Sequence, residues 1–462
     1  MSRRNGPRSL FARAVPRYLT REQAQELTQR VLGFATADET RVSVGSGTQG
    51  NTRFAVSQIS TGGDNFDTSV TIRAVFGKRA GSSTTNALDD DSLRRAVETA
   101  ERLAKLSPED PEYMAELGPQ QYQEAQGWSD NTAVLDPTQR AVAVRAITEP
   151  ARADGLIATG YLESNAGSFA VANQNGLFAW SRSTSSALTT TIRTPDGTGS
   201  GWAGAAHYDW SKIEPQQLGA RAIEKAKLSV NPAAIEPGRY TVILEPTAVG
   251  NLVQLINFAL NARNADEGRS FFSKQGGGNK IGEKVVDERV SLISDPHDPE
   301  AYANTFTGEG LPTTRTTWIE NGVVRNLAYD RYWAQQQGVP PRPQVGSLRM
   351  SGGNSSIEEM IAGTERGILV TRFWYIRPVD PRTILYTGLT RDGTFLIENG
   401  RISRAVQNLR FNESPIFMLN NLEAMGRPVR VSASESGSAG FAVVVPPIKA
   451  RDFNFTSLSE AV

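Results

Sequence analysis

The sequence predicts an α+β fold: an N-terminal mixed α/β half, in which helices pack on an antiparallel sheet, and a C-terminal β-rich, barrel-like domain. Three observations support this prediction. Runs that alternate apolar and polar residues, typical of half-buried strands, are interspersed with helix-forming segments up to residue 230. A stretch that contains two prolines, 231–239, separates the two halves. Beyond it strand-like runs dominate, and two Asn-Gly pairs between apolar residues give the strongest short-range signal for a hairpin.

Helices of the N-terminal half are predicted from capping signals and apolar periodicity. They cover about 20–34, about 90–106, a stretch that begins at Asp136, and about 212–228. Thr20 forms a capping box with Gln23, and Asp136 is an N-cap followed by proline at the first helical position. The second helix follows three aspartates that complement its dipole. Its predicted buried stripe consists of Leu93, Ala96, Val97, Ala100, Leu103 and Ala104.

Two polar, β-prone segments, 41–85 and 157–192, are predicted to form the N-terminal strands. Val70, Ile72 and Ala74 alternate with other residues and should therefore share one face. Glycine groups at 45–47, 62–63 and 77–79 are predicted to be turns between these strands. The segment 107–130, which is rich in Pro, Glu and Gln, is predicted to be a connector.

The C-terminal half begins with a predicted buried strand at 240–244, and Asn321-Gly322 and Asn399-Gly400 mark its hairpins. A helix follows the first strand, and its apolar face contains Val249, Leu252, Val253, Ile256 and Leu260. The predicted organisation is a basic disordered tail at 1–18, an N-terminal α+β domain at 19–230 and a C-terminal β-rich domain at 237–462.

Composition excludes several classes of site. The 462 residues include 49 Lys and Arg, 49 Asp and Glu, two His and no Cys. Without cysteine there is no disulfide, thiol nucleophile or thiolate metal site. His207 and His297 cannot form a three-imidazole site or a pair one helical turn apart. A formal net charge of zero argues against a dedicated nucleic-acid-binding protein.

The N-terminus is rich in arginine and has no acidic residue before Glu22. A twin-arginine export signal begins similarly, but Arg13 and Pro16 interrupt the apolar segment that such a signal needs, which favours a disordered tail. No run approaches the roughly 18 apolar residues required to span a bilayer. We therefore predict a cytoplasmic location without a membrane partner.

Two short constellations around the histidines are candidates for chemistry. His207 lies just before a predicted helix and is interpreted as a packed or surface aromatic residue rather than a catalytic one. Asp295, His297 and Asp298 offer oxygen and nitrogen ligands for a divalent cation, but the interleaved prolines favour a turn. The sequence thus assigns no catalytic, metal-binding or cofactor-binding residue.

Short motifs occur in a characteristic order along nearly the whole chain, from about residue 19 to residue 426. They include Asn51-Thr52-Arg53-Phe54-Ala55, Gly160-Tyr161-Leu162-Glu163, Gly268-Arg269-Ser270-Phe271, Gly282-Glu283-Lys284-Val285, both Ile-Glu-Asn-Gly sequences and Gly367-Ile368-Leu369-Val370-Thr371. Each motif is weak alone. Their order and spacing together resemble the TldD/PmbA family, a bacterial metalloprotease family once described as modulators of DNA gyrase.

The resemblance implies how such a protein works and what this chain lacks. Catalytic TldD-like subunits carry His-Glu-x-x-x-His on the helix that opens the C-terminal domain, where two imidazoles bind zinc and the glutamate acts on bound water. The corresponding helix here, 249–260, has neither histidine nor glutamate. This departure matches the PmbA (TldE-like) branch, which implies no zinc on this chain and a TldD-like partner that supplies it. Unfolded or short peptides would be the substrate.

Three hypotheses remain open at this point. The first is a metal-free, non-catalytic subunit of a TldD/TldE-type zinc metallopeptidase. The second is a standalone, homodimeric peptide-binding protein that kept the fold without catalysis. The third is an enzyme with relocated chemistry based on Asp295, His297 and Asp298.

Overall fold

The computed structural model describes residues 18–124, 126–432 and 441–459. The predicted basic tail, 1–18, lies outside the described residues except for Tyr18. Over the described ranges the predicted α+β fold is confirmed, with an antiparallel sheet and helices in the N-terminal half and a closed barrel in the C-terminal half. The α-helices are α1 (Arg21–Leu32), α2 (Asp90–Leu106), α3 (Asp130–Ala133), α4 (Pro137–Ala153), α5 (Pro215–Leu228), α6 (Pro246–Ala259), α7 (Ala262–Asp266), α8 (Arg331–Gln337), α9 (Ile357–Ala362) and α10 (Pro415–Asn420).

The predicted helix starts are confirmed where a capping signal is present. Capping boxes form at Thr20 with Gln23 and at Asp136 with Gln139. The predicted stripe of α2 is buried except for Leu103, which is 41% exposed because it lies beside the stripe on the solvent side. Across the described part of the chain, no helix combines the length and apolarity needed to cross a membrane.

A first sheet, built from long antiparallel strands, organises the N-terminal half. Its strands are β1 (Glu39–Ala55), β2 (Gln58–Phe76), β3 (Arg79–Thr85), β4 (Ile157–Asn173), β5 (Phe178–Arg193) and β6 (Ser200–His207), in the spatial order β3-β2-β1-β4-β5-β6. β1 contains 17 residues and β2 contains 19. At about 3.3 Å per residue, these two strands are roughly 55–65 Å long, so the sheet has two extended faces.

Helices cover one face of this sheet. At one end, Val42 and Ile72 are fully buried against Leu93 and other apolar residues of α1 and α2. At the other end, Leu162 of β4 packs with Ile147 of α4 in a second cluster that includes α5. The residues of β1, β2, β4 and β5 that pack in these two clusters are even-numbered, so odd-numbered residues of the same strands point to the opposite face. Val70, Ile72 and Ala74 share the covered face, as predicted.

Two of the three predicted glycine turns are wrong. Residues 45–47 lie inside β1 and 62–63 lie inside β2, whereas the turn at 77–79 is confirmed. The β1–β2 turn is instead formed by Val56 and Ser57, both with positive φ, as a two-residue type I′ hairpin requires. Gly47 serves close strand approach rather than a turn, since a Cβ there would lie 2.7 Å from the carbonyl oxygen of Ala166.

The C-terminal half contains a five-stranded barrel and a second sheet. Its strands are β7 (Gly238–Leu244), β8 (Leu292–Ser294), β9 (Thr316–Glu320), β10 (Val323–Val324), β11 (Ser347–Met350), β12 (Arg366–Asp380), β13 (Leu385–Glu398), β14 (Arg401–Ala405), β15 (Leu409–Glu413), β16 (Leu422–Met425), β17 (Val429–Val431), β18 (Ala442–Val445) and β19 (Ile448–Leu458). The barrel order is β12-β7-β19-β15-β13, and pairing of β13 with β12 closes it. The second sheet has the order β10-β9-β8-β11-β18-β17.

Both predicted Asn-Gly hairpins are confirmed. Asn321 and Gly322 have φ values of 50° and 78° between β9 and β10, and Asn399 and Gly400 have values of 52° and 74° between β13 and β14. Positive φ at both central positions is the type I′ geometry, which Asn-Gly adopts with little strain. These turns fix the register of the two hairpins from local sequence alone.

The predicted connector runs along both halves of the molecule. Glu112 accepts hydrogen bonds of 2.7 and 2.8 Å from the guanidinium of Arg263, which lies in α7. Tyr122 donates its hydroxyl proton to the carbonyl oxygen of Gly310 at 2.6 Å, and burial raises the pKa of Tyr122 to about 12. The segment between α2 and α3 is thereby tied to the C-terminal half by side-chain contacts.

Glu413 makes the stability of the barrel depend on pH. The side chain is buried on β15, where its carboxylate accepts hydrogen bonds from the backbone N–H groups of Ser414 at 2.8 Å and Asn454 at 3.0 Å. Burial raises the pKa of Glu413 to about 7, although these hydrogen bonds and Arg239 oppose the shift. The folded chain therefore holds a proton between about pH 4.5 and 7 that the unfolded chain releases.

We expect the stability of the native protein, relative to a Glu413→Gln variant, to fall as pH rises from 5 to 8. The sign follows because a carboxyl group whose folded pKa is raised is stabilising only while protonated, and the difference should reach roughly 2 to 3 kcal/mol. Urea denaturation of both proteins at each pH measures it. Glu365→Gln, at an exposed position, is the matched control; parallel pH profiles of native protein and Glu413→Gln would contradict the prediction.

Candidate functional site: a groove over the open face of the first sheet

The face of the first sheet that the N-terminal helices do not cover forms the floor of a groove. Two rows of directly paired residues cross β2, β1, β4 and β5 on this face. They are Asp67, Gly47, Gly167 and Ser183, and Asn65, Gln49, Asn165 and Ser185. All eight line a cleft of about 480 Å³. Small and amide side chains keep this floor flat and present hydrogen-bonding groups, since glycine adds no Cβ and serine, asparagine and glutamine both donate and accept.

The wall of the groove comes from the C-terminal half. A second cleft of about 610 Å³ adjoins the first and shares Phe169, Ser183, Thr184, Ser185 and Asn304 with it. The remaining wall is the segment 302–308 together with Gln344 and Gly346. The groove is therefore built only when the two halves of the chain pack together.

Aromatic pairs hold the wall against the floor. Phe306 stacks on Phe169 with ring centroids 5.9 Å apart and an interplanar angle of 16°. Tyr302 meets Tyr208 edge to face at 5.0 Å. Such pairs contribute about 0.5–1.5 kcal/mol each beyond the area they bury. The tyrosine rings line the larger cleft, where they offer an apolar surface.

One edge of β5 is open towards the groove. β6 pairs with β5 only from Ser186 onward, while β4 pairs with β5 along its whole length. The backbone N–H of Thr184 instead donates to the carbonyl oxygen of Gly127 at 3.0 Å. Among the described strands, the stretch of β5 that precedes Thr184 thus has a partner on one side only, which is the arrangement that accepts an added peptide strand.

His207 lies at the end of β6, close to this groove but turned away from solvent. It is 8% exposed, its Nδ1 accepts a hydrogen bond of 2.9 Å from the backbone N–H of Asp209, and its ring contacts Tyr208 at 4.5 Å. Burial, followed by the positive charge of Arg430, lowers its pKa from the ordinary value. This neutral, packed imidazole is consistent with the interpretation drawn from the sequence.

Asp295, His297 and Asp298 lie in the turn after β8, where other groups engage the two carboxylates. Asp298 accepts hydrogen bonds of 2.5 and 2.7 Å from Arg349, and Asp295 accepts one from the backbone N–H of His297 at 2.9 Å. Burial alone would raise the pKa of Asp298, but Arg349 holds it below its ordinary value. Within the described ranges, no group of three or more His, Cys, Asp or Glu residues is arranged to hold a metal ion.

The residues of α6 do not fit the zinc site that the family fold implies. Its polar side chains are Thr247, Asn251, Gln254 and Asn257, and the others are proline, glycine, aliphatic or phenylalanine. Asn251 uses its Oδ1 to accept a hydrogen bond of 3.1 Å from the backbone N–H of Phe373. Neutral amides and a hydroxyl do not replace imidazole or carboxylate as zinc ligands. We derive no catalytic step through a metal on this chain.

A buried charge network joins the first sheet to the barrel. Asp392 on β13 is 4% exposed; its Oδ1 accepts a hydrogen bond of 2.6 Å from Ser200 of β6, and its Oδ2 accepts two from Arg372 of β12 at 2.5 and 3.0 Å. The Arg372 guanidinium stacks on Trp202 and Trp374, 4.8 and 5.2 Å from their ring centres. Burial would raise the pKa of Asp392, but Arg372 and Ser200 hold it below its ordinary value.

The groove is not predicted from the sequence. The Ser/Thr-rich run 181–191 is a partial signal, since Ser181, Ser183 and Ser185 lie on the floor. Tyr302 and Arg430 lie far from this run in sequence and carry no local signature. They come together with the floor only through the packing of the two halves.

Comparisons with known proteins identify the family. Three family models match the chain: PmbA/TldA metallopeptidase domain 1 at 41–104, the central domain at 134–230 and the C-terminal domain at 237–457. The structure is similar to that of TldE from Thermococcus kodakarensis, with a TM-score of 0.79, 19% identity and coverage of 94% of this chain and 100% of that chain. At this identity the likeness shows the fold.

Similarity to curated proteins is partial in length. A metalloprotease from Methanothermobacter thermautotrophicus is 25% identical over 248 residues, which cover 50% of this chain and 52% of that protein. A metalloprotease from Archaeoglobus fulgidus is 23% identical over 240 residues, covering 48% and 54%. The chain thus spans about half the length of the curated relatives it matches. Because the three matched domains together cover most of the sequence in the family's order, the chain belongs to the PmbA/TldD metallopeptidase family.

Proposed function

We propose that this chain is a TldE-like, non-catalytic subunit of a TldD/TldE-type zinc metallopeptidase that cleaves unfolded or short peptides in the cytoplasm. A TldD-like partner would supply the metal. The observation that carries the proposal is the composition of α6, which offers only amide, hydroxyl and apolar side chains. The family resemblance assigns the zinc ligands of catalytic members to this helix, so zinc chemistry would have to come from a second chain.

The groove supports a peptide as the substrate. Its floor offers small polar side chains, and its wall offers tyrosine rings. In the described part of the chain, one edge of β5 has no strand partner before Thr184, and the N–H of Thr184 itself bonds the Gly127 carbonyl oxygen. An extended peptide satisfies such an edge with its backbone and places alternate side chains in neighbouring clefts. In the proposed complex, this chain would hold part of the substrate while the partner cleaves it.

Coexpression with a TldD-like protein from the same genome tests the proposal. We expect a 1:1 complex by light scattering and peptidase activity that neither chain shows alone, with zinc content that follows the partner. A His297→Ala variant should leave that activity unchanged, since His297 lies in the turn after β8. Failure to associate would contradict the proposal, and a stable dimer of this chain that binds peptide without a partner would favour the homodimeric binding protein.

A further inference from the structure

Arg430 is a partly buried cation at the larger cleft of the groove. Its Nε donates to the carbonyl oxygen of Ala206 in the N-terminal half at 2.6 Å, and its Nη1 donates to that of Glu300 in the C-terminal half. None of the ion pairs among the described residues includes Arg430. Burial lowers the pKa of this guanidinium from its ordinary value. Among the described residues, the hydrogen bonds of this partly buried guanidinium go to neutral carbonyl oxygens, which leaves it able to pair with an anion.

Two carboxylates act on Arg430 from a distance without forming an ion pair with it. Glu300 and Asp298 oppose the lowering of the pKa of Arg430 by burial, but the Asp298 carboxylate binds Arg349, and the hydrogen bond from Arg430 to Glu300 goes to the backbone oxygen. The described lining of the larger cleft contains neither aspartate nor glutamate, but it does contain a second arginine, Arg182. The Arg182 guanidinium lies 4.7 Å above the ring of Trp128 and donates to the Tyr18 hydroxyl at 3.2 Å. The cleft therefore carries a local positive charge in a chain whose formal net charge is zero.

We propose that the larger cleft binds a carboxylate of the peptide substrate, with Arg430 and Arg182 as its cationic ligands and with Tyr208 and Tyr302 against the adjoining side chain. This assignment rests on the proposed peptide-binding function and specifies the substrate class. A guanidinium matches the planar geometry of a carboxylate and pairs with it through two parallel hydrogen bonds. The adjacent β5 edge would hold the extended backbone that leads to this carboxylate.

The carboxylate has two sources in a peptide: the C-terminus and an acidic side chain. Fluorescence anisotropy of the purified full-length chain distinguishes them with three N-terminally fluorescein-labelled probes. They are an alanine hexapeptide that ends in phenylalanine with a free C-terminus, the same peptide as a C-terminal amide, and the amide with glutamate as its penultimate residue. We expect the free acid to bind roughly tenfold more tightly than the plain amide, as a desolvated charge-assisted pair provides.

The third probe assigns the source. If the glutamate amide binds as tightly as the free acid, a carboxylate from either source is sufficient. If it binds as weakly as the plain amide, the cleft recognises the C-terminal carboxylate. Both results support the assignment. Equal binding of the free acid and the plain amide, or no binding of any probe, overturns it. Either negative result is distinguishable from failure of the proposed function, because complex formation and peptidase activity of the coexpressed subunits are measured separately.

Variants of the two arginines test the same assignment from the protein side. Arg182→Gln should weaken binding of the free acid roughly tenfold and that of the amide less than twofold. This side chain is exposed, so its loss leaves the fold intact. Arg430→Gln should have the same selective effect. Because Arg430 also joins the two halves, a thermal melt first checks that this variant is folded, and binding is measured afterwards. Arg410→Gln, an exposed arginine on the barrel, is the matched control; an equal loss for acid and amide in Arg182→Gln would overturn the assignment.

Discussion

Replacing Asp392 with asparagine is expected to lower the free energy of unfolding by roughly 3 to 5 kcal/mol, the usual cost of removing one partner of a buried ion pair. Asparagine retains one oxygen for Ser200 but presents a neutral amide to Arg372, whose guanidinium stays buried between Trp202 and Trp374. The cost arises from the uncompensated arginine rather than from lost volume, because the two side chains are nearly isosteric.

The Asp392 prediction is measured by urea denaturation with two probes, tryptophan fluorescence and far-ultraviolet circular dichroism. Asp452→Asn makes the same chemical change at an exposed position of β19 and should stay within about 0.5 kcal/mol of the native protein. A double variant, Asp392→Asn with Arg372→Met, should lose less than the sum of the single losses, since it removes the stranded charge. Equal losses for Asp392→Asn and Asp452→Asn would contradict the prediction.

This network also explains why the two halves form one groove. Ser200 and Trp202 belong to the first sheet, whereas Arg372 and Asp392 belong to the barrel. Arg430 makes a second link across the halves through Ala206 and Glu300. Asp392 and Arg430 thus each join the first sheet to the half of the chain that supplies the wall segment 302–308.

Local sequence signals predicted the parts of the fold that local forces determine. Capping boxes at Thr20 and Asp136 satisfy backbone N–H groups within one turn, so four residues suffice to locate a helix start. Asn-Gly at 321–322 and 399–400 likewise fixes a hairpin turn, because it adopts positive φ at both positions. Both signals act within a few residues, so the helix starts and the hairpin turns can be predicted without knowing what packs against them.

Glycine and isolated charges were misread or missed because their roles depend on distant partners. Gly47 resembles a turn residue in sequence, yet it lies mid-strand because the Ala166 carbonyl of β4 approaches its Cα. The actual turn, Val56-Ser57, has no turn signature. Arg430 looks like any other surface arginine in sequence, and only the packing of β17 against the end of β6 turns it into a cation at a cleft.

Arg140 is the other position where a single substitution should be strongly destabilising. It lies in the first turn of α4 but is only 1% exposed, because its side chain runs beneath the sheet-covering helices to β1 and β2. It donates to the Thr52 hydroxyl at 3.2 Å, to the Leu135 carbonyl oxygen at 3.0 Å and to the Asp64 carboxylate at 2.7 Å. A Cβ at Gly50 would lie 2.4 Å from Arg140 Nη1, so the sheet leaves room for this guanidinium only above a glycine.

Arg140→Met is expected to cost roughly 3 to 5 kcal/mol of stability, because it leaves the buried Thr52 hydroxyl and the Leu135 carbonyl oxygen without a donor and removes the partner of the Asp64 carboxylate. Arg140→Lys should recover only part of the loss, since one ammonium group cannot reach acceptors arranged around a planar fork. Arg145→Met, on the exposed face of the same helix, is the control and should change stability by less than about 0.5 kcal/mol. Denaturation midpoints of the three variants give the comparison. Full recovery of stability by Arg140→Lys would contradict the prediction, because it would show that the positive charge alone, rather than the set of hydrogen bonds from the guanidinium, joins α4 to the sheet.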